Sequence, residues 1–389
     1  MIKLASGISS PKNQHDDKEI EMDNNVTWWK FDEVEAFMKA GFEAVGVEPE
    51  VASVCSDVLI SADKRGVDSH GVGRYKPIYL DRIWAGILNP KTNFEIVRET
   101  PTTAVIDGHN GMGHYIAKRA MEIAIEKAEK FGLGMTVCRN STHYGAAFYY
   151  ARQAVEHGMI GLTTTNARPA IAPTWGVEPM LGTNPLTWGM PSDEAFPFML
   201  DCATSTTQRG KIELYDRLGK DLPDGWVIGQ DGKYRHDTHQ VLTDLTQDKA
   251  ALTPVGGVGE DLAGYKGYGY AMVVELLSSA LSHANFMKAL ADLGPDGKKK
   301  SIELGHSFLA IDIRAFCDLE DFKHQVGEIS RQLRASKKAP GAQRIWTPGE
   351  KEHEVWLYRK DKGVPFNPPL KKAFQEVKER CKLDIALPF

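Results

Sequence analysis

Between Thr103 and Thr165 the chain alternates short β-like runs with longer helical ones, and that alternation confines it to a sheet covered by helices. Thr103-Ala104-Val105-Ile106-Asp107 reads as a strand, because β-branched and apolar residues dominate it. A glycine-rich turn from Gly108 to Gly113 comes next and leads to a helix over Tyr115–Phe131. A strand at Gly134–Cys138, a loop at Arg139–His143, a helix to about Glu156 and a strand at Ile160–Thr165 continue the series. Further strands are expected at Leu186–Met190, Phe196–Leu200 and Ser307–Ile313. An apolar helix is expected over Tyr268–Leu281 and an amphipathic one over Leu319–Leu333. The fold class is α/β, in its α+β form.

Ahead of this region the pattern is helical. Val34, Phe37, Met38 and Phe42 form one stripe, and Val51, Val54, Cys55, Val58 and Leu59 form a second that stops before Gly66. A third helix is expected from Arg74 to Ala85, capped by Gly86. The division read from the sequence is a polar tail (1–26), a helical domain (27–98), a sheet-bearing domain (99–340) and a C-terminal segment (341–389) packing back on the helices.

A length of 389 residues allows a large buried core, and a net charge of −5 lacks the basic face that a nucleic-acid binder needs. Five scattered cysteines without a C-x-x-C pair fit free thiols in a reducing compartment better than disulfides or a zinc site. The polar start has no signal-peptide core, and no apolar run approaches the ~20 residues a membrane span requires. A cytosolic protein is expected, with no metal and no membrane partner.

The densest chemistry lies in Arg65-Gly66-Val67-Asp68-Ser69-His70-Gly71-Val72-Gly73-Arg74-Tyr75. An imidazole on a glycine-flanked turn suits proton transfer near neutral pH, and a guanidinium four residues on suits a carboxylate clamp. The structural alternative is a helix end at Arg65, its cap at Gly66, and Asp68 or Ser69 capping the next helix. His143, in Asn140-Ser141-Thr142-His143-Tyr144-Gly145, occupies a strand-to-helix loop where such sheets bind ligands, or is a bystander beside a helix cap. Asp201 ends an apolar strand, where a carboxylate needs partners; it orients an imidazole or caps a helix. Lys266 precedes an apolar helix, a conflict with the helix dipole that a bound anion would resolve. No G-x-G-x-x-G, G-x-x-x-x-G-K-[ST] or H-E-x-x-H is present, and His236 and His239 read as surface.

The segments SADKRGVDSHGVGRY (61–75), STHYGAAFYYARQAVEHGMIGLTTTN (141–166), GTNP (182–185), MLDCATS (199–205), GYKGYG (264–269) and APG…PGE (339–350) together resemble the type-2 malate/L-lactate dehydrogenase family. That family also holds ureidoglycolate and sulfolactate dehydrogenases, diketogulonate reductase and cyclic imino-acid reductases. The resemblance implies a non-Rossmann cofactor domain with a largely antiparallel sheet, a helical domain, and a homodimer. It implies that His70 protonates the substrate, that Ser69 and Asp201 orient it, and that Arg74 binds the substrate carboxylate. His143 corresponds to a second active-site histidine, the proton-transfer group in some relatives. Contacts with NAD or NADP are implied for His143, Tyr144, Gly145, Ala146 and Ala147, for Asp201, Cys202 and Ala203, for Lys266, and for Gly341, Ala342 and Gln343. A further contact falls on Ala167, where a relative has a hydroxyl, so Asn166 or Arg168 is expected to replace it. Arg168 is placed either to meet a 2′-phosphate or to turn toward solvent.

The expected activity is NAD(P)-dependent interconversion of a small 2-hydroxy acid and its 2-oxo acid, malate/oxaloacetate leading. The alternatives are a lactate, ureidoglycolate or sulfolactate type, a cyclic imine, or a catalytically silent nucleotide-binding protein. Arg65, Arg168 and Arg209 are the candidates for the contact that separates a diacid from lactate.

Overall fold

The computed structural model describes residues 26–294 and 296–389. Most of the polar tail expected over 1–26 lies outside these residues.

The helical lobe begins with strand β1 (Thr27–Trp29), helix α1 (Phe31–Ala44) and helix α2 (Pro49–Lys64). The predicted stripe of α1 is buried throughout, and α2 ends at Gly66 with φ +74, the left-handed turn that glycine adopts without strain. The third helix differs from expectation. Residues 72–74 form a 3-10 turn, Tyr75–Leu80 a π-helical turn, and only Asp81–Trp84 (α3) is α-helical. Pro77 has no N–H to donate to the ladder, which accounts for a widened turn there.

Next come β2 (Glu95–Glu99), β3 (Thr103–Asp107), α4 (Gly113–Phe131), β4 (Leu133–Ser141), α5 (Phe148–Glu156), β5 (Met159–Thr165), β6 (Leu186–Met190) and β7 (Phe198–Cys202). After β7 a smaller layer holds α6 (Arg209–Arg217), β8 (Val227–Gly229), α7 (Thr238–Thr246) and β9 (Ala250–Leu252). Helix α8 (Gly264–Glu275) continues into a π-helical turn, and β10 (Leu304–Asp312) re-enters the sheet before α9 (Leu319–Ala335). The chain closes with α10 (Glu350–Arg359), β11 (Val364–Phe366) and α11 (Pro368–Cys381).

The main sheet has seven strands in the order β2-β3-β4-β10-β5-β6-β7, and only the β3–β4 pair is parallel. It is the largely antiparallel α+β sheet that the resemblance implied. Helices α4 and α5 cover one face, burying Ile106, Met121, Tyr150 and Phe308 between them and the strands. The turn after α8 covers the other, where Ser278 Oγ meets Thr164 Oγ1 at 2.9 Å. The outward side of α8 carries exposed Tyr265, Tyr270, Met272, Val273 and Leu276.

The two ends of the chain meet in the helical lobe. β1 pairs antiparallel with β11, and Phe37 stacks on Phe374 with centroids 5.0 Å apart. A separate core of Ile171, Leu181, Ile212, Leu222, Val227 and Leu252 supports the layer that carries α6.

Candidate active site

A cavity of about 700 Å³ lies between the helical lobe, the β5–β7 end of the sheet and the layer carrying α6. The His70 turn forms one wall. Asp68–His70 is a short 3-10 turn, so Ser69 and His70 stand at the edge of the lobe. Ser69 Oγ lies 2.9 Å from His70 Nδ1, and the Arg74 Nε–H donates to the Ser69 carbonyl at 2.5 Å. Burial pushes the His70 imidazole down to about 4, with the charge of Arg74 adding to the effect.

From the opposite side the β4–α5 connection presents His143. The two imidazoles are nearly parallel, their centroids 5.8 Å apart. The Tyr79 hydroxyl, 2.6 Å from His143 Nδ1, shares that atom with the Gly145 amide, which donates to it at 3.3 Å. An atom accepting from an amide carries no proton, so in the neutral ring the proton is on Nε2. Burial first, then His70, His114, Arg74 and Arg82, hold His143 well below the usual imidazole range. Behind Tyr79 lies His114, fully buried, its ring 4.4 Å from the tyrosine's and held down to about 3 by burial.

Ser69, His70, His143–Ala147, Asn166, Ala167 and Asp201–Ala203 all line the cavity. The remaining expected residues do not. Arg74 lies behind Ser69, within the same turn but off the cavity wall. Lys266 does not precede the helix; α8 opens at Gly264, and Lys266 is exposed in its first turn. Gly264 and Gly267 account for this, because a Cβ on either would strike the carbonyl of Gly257 or Val255. Their side of the helix is pressed inward and the lysine is left outside. Gly341 and Gln343 are exposed in an open loop with Ala342 half-buried between them, while Gly349, Glu352 and His353 from the same segment reach the wall.

Asp201 corrects a second expectation. It does not end the strand but sits within β7, opposite Thr187. Its oxygens accept from Thr187 Oγ1 at 2.9 Å and from the Phe148 amide at 3.0 Å, so it caps α5 rather than holding His70. The residue is exposed to the cavity, and desolvation by the cavity walls raises its carboxyl above the usual carboxylate range. Arg168 is paired with Asp292 at 3.1 Å, and Arg209 with Glu213 at 3.1 Å. Of the three arginines weighed for the distal contact, Arg65 alone lines the cavity, its guanidinium 5.3 Å from the Phe148 ring centroid.

Sequence reasoning missed Tyr79, His114 and the residues of the α6 layer. Tyr79 lies on the π-helical turn, whose extra width no 3.6-residue period describes. His114 comes directly after Gly113 in the glycine-rich turn, and only its burial beside Tyr79 distinguishes it.

The paired neutral imidazoles, the cation behind them and a large cavity beside them fit an oxidoreductase for small hydroxy and oxo acids. The chain belongs to the malate/L-lactate dehydrogenase family, whose sequence profile matches residues 29–375. It is 39% identical over 361 residues to a malate dehydrogenase of Pyrococcus horikoshii, covering 93% of this chain and 96% of that protein. It is 37% identical to an L-sulfolactate dehydrogenase of Methanocaldococcus jannaschii, covering 86% and 91%. The crystal structure of malate dehydrogenase from Entamoeba histolytica superposes with a TM-score of 0.90 at 42% identity, covering 94% of this chain and all of that one. The protein is accordingly an NAD(P)-dependent 2-hydroxy/2-oxo acid oxidoreductase.

Proposed function

We propose that the substrate pair is malate and oxaloacetate, that His70 is the proton-transfer group, and that His143 is a fixed hydrogen-bond donor. The observation that carries the division of labour is the double donation to His143 Nδ1 by Tyr79 and Gly145. A ring locked with its proton on Nε2 polarises a carbonyl oxygen well, but losing that proton would leave an imidazolate. His70, with only Ser69 on its Nδ1, is free to cycle. The similarity to malate dehydrogenases supports the choice of diacid.

The cavity fits a dinucleotide. Gly145, at φ +78 in the His143–Ala147 turn, lets the backbone come close to a ligand, and the Ser205 hydroxyl is buried on the wall without a partner among the described residues. NAD or NADP would lie along His143–Ala147, Asn166–Ala167 and Asp201–Ala203, and when bound supplies the hydride to the oxo carbon. Arg74, behind Ser69 and off the cavity wall, would draw the substrate carboxylate toward Ser69 and His70 by its charge. That carboxylate offsets the guanidinium charge which depresses His70, so substrate binding brings the imidazole toward its proton. Lys266 and the Gly341–Gln343 loop would reach the cofactor only if the loop moved or a second subunit supplied them.

The exposed apolar face of α8 supports a homodimer built on a second copy of the chain. Five free cysteines support a cytosolic setting. Among the described residues no helix is long and apolar enough to cross a membrane.

A panel of 2-oxo acids with NADH and NADPH tests the substrate, and three variants test the roles. His70→Ala should lower kcat by ~10²–10⁴. His143→Gln keeps an N–H donor and should retain more activity than His143→Ala. If His143→Gln is as damaged as His70→Ala, the two roles are reversed.

A further inference from the structure

Helix α6 starts beside the His70 turn. A Cβ built on Gly210 would lie 3.7 Å from the Ser69 Cβ and 3.8 Å from Arg74 Nη2. The first turn of α6 therefore packs directly against the residues that hold the substrate's reacting end. This helix end is electrostatically one-sided. Its N-cap residue Gln208 makes no side-chain cap bond, and no acidic residue stands in the first turn. Unpaired amides there carry partial positive charge, and Arg74 and Lys211 add full charges nearby.

A second observation points to a ligand. Thr207 is 7% exposed, lines the cavity just before the helix, and its Oγ1 has no hydrogen-bond partner among the described residues. A buried hydroxyl left unpaired is destabilising, so a group that answers it is expected. Gln208 and Lys211 line the same wall. A hydroxyl, a helix end and an ammonium together match an anion and nothing neutral.

We propose that Thr207 and the first turn of α6, with Lys211, form a second anion subsite that binds the distal carboxylate or sulfonate of a three- or four-carbon oxo acid. This rests on the reading of His70 and Arg74 as the site of the 2-oxo acid head. Pyruvate would fill the head site and leave the helix end unanswered. Thr207 and Lys211 are thus specificity-determining residues; Lys211 lies over the Tyr215 ring at 5.6 Å, and Arg65 on the same wall is held by Ser61 and the Phe148 ring.

The test is the ratio of kcat/KM for oxaloacetate to that for pyruvate, measured with saturating NADH in the parent, Thr207→Val, Thr207→Ser, Lys211→Gln and Arg65→Gln. A ratio is independent of the fraction of each preparation that is folded. Thr207→Val and Lys211→Gln should each lower it by roughly 10- to 100-fold, the loss of one charge-assisted hydrogen bond, and Thr207→Ser should keep it near the parent's. Calorimetric binding of hydroxymalonate repeats the comparison without turnover, and its Kd should rise by the same factor in the first two variants. Equal losses for both substrates, or a ratio moved by Arg65→Gln alone, overturn the subsite while leaving the reading of the activity intact. A parent that reduces neither acid removes the reading and the subsite together.

Discussion

The histidines illustrate what a single residue reveals on its own and what it conceals. His70 was legible because glycines, a serine and an arginine crowd it, and His143 because it lies between a strand and a helix. What distinguishes their chemistry is Tyr79, whose hydroxyl arrives from 64 residues away in the chain. No local pattern carries that contact. His114 was invisible for the same reason, although it makes a clear prediction. Its imidazole stays neutral down to about 3, whereas in the unfolded chain it takes up a proton near 6.5. Between those values the unfolded state binds more protons, so this residue's contribution is full above about pH 6.5 and is lost as the pH falls. His114→Phe removes the titration. Its stability relative to the parent should improve by on the order of 2 kcal/mol between pH 7 and pH 5, read from urea midpoints. The raised carboxyls of Asp63, Asp201 and Glu275 act with the opposite sign, but are present in both proteins and cancel. A constant difference across that range would mean that His114 titrates alike in both states.

Among the elements, α1, α2 and α4 are explained by periodicity, because each buries one continuous stripe, and α9 by its amphipathic period and its Asp318 cap. The departures have local causes: Pro77 widens the turn after Arg74, and Pro197 delays β7 so that Asp201 falls inside it. The His70 turn also depends on an element far along the chain. Arg359, 4% exposed at the end of α10, donates to both Asp68 oxygens, at 2.6 and 2.9 Å, and to the Asp63 carbonyl at 2.8 Å. Asp63 in turn accepts from the Val72 amide at 2.7 Å, so the turn is held on either side of His70. Arg359→Met should lower kcat by about 10- to 100-fold through misplacement of His70, with unfolding still cooperative by calorimetry. Arg359→Lys keeps the charge without the planar fork and should fall between the two. Parent-like turnover in Arg359→Met would leave the Asp63–Val72 bond as sufficient.

On the scale of the whole molecule, the antiparallel sheet and the helical lobe were foreseen through the combination of segments, each weak alone. The layer built on Ile171, Ile212 and Val227 was not, since its helices and strands are short and its core draws on residues spread from 171 to 271. From the sequence, the exposed face of α8 reads only as part of an apolar helix over Tyr268–Leu281. Only the structure separates its inner side, with Ala271 and Val274, from the outer one with Val273 and Leu276. Leu276→Asp places a charge at the end of that outer face and should convert a dimer to a monomer in sedimentation velocity. A monomeric parent, or a variant that remains dimeric, would put the interface elsewhere.

The pairing of β1 with β11 also fixes an order of events on the ribosome. The helices that carry His70 are among the first made, yet Trp29, Phe37 and Phe42 have no complete cover until Phe366 and Phe374 emerge. The sheet can close while translation continues, because its last strand, β10, is finished at Asp312. The core of the helical lobe is therefore completed only after the sheet's last strand is made, and a nascent chain stalled after β10 would display its aromatic residues to chaperones with the cavity only half walled.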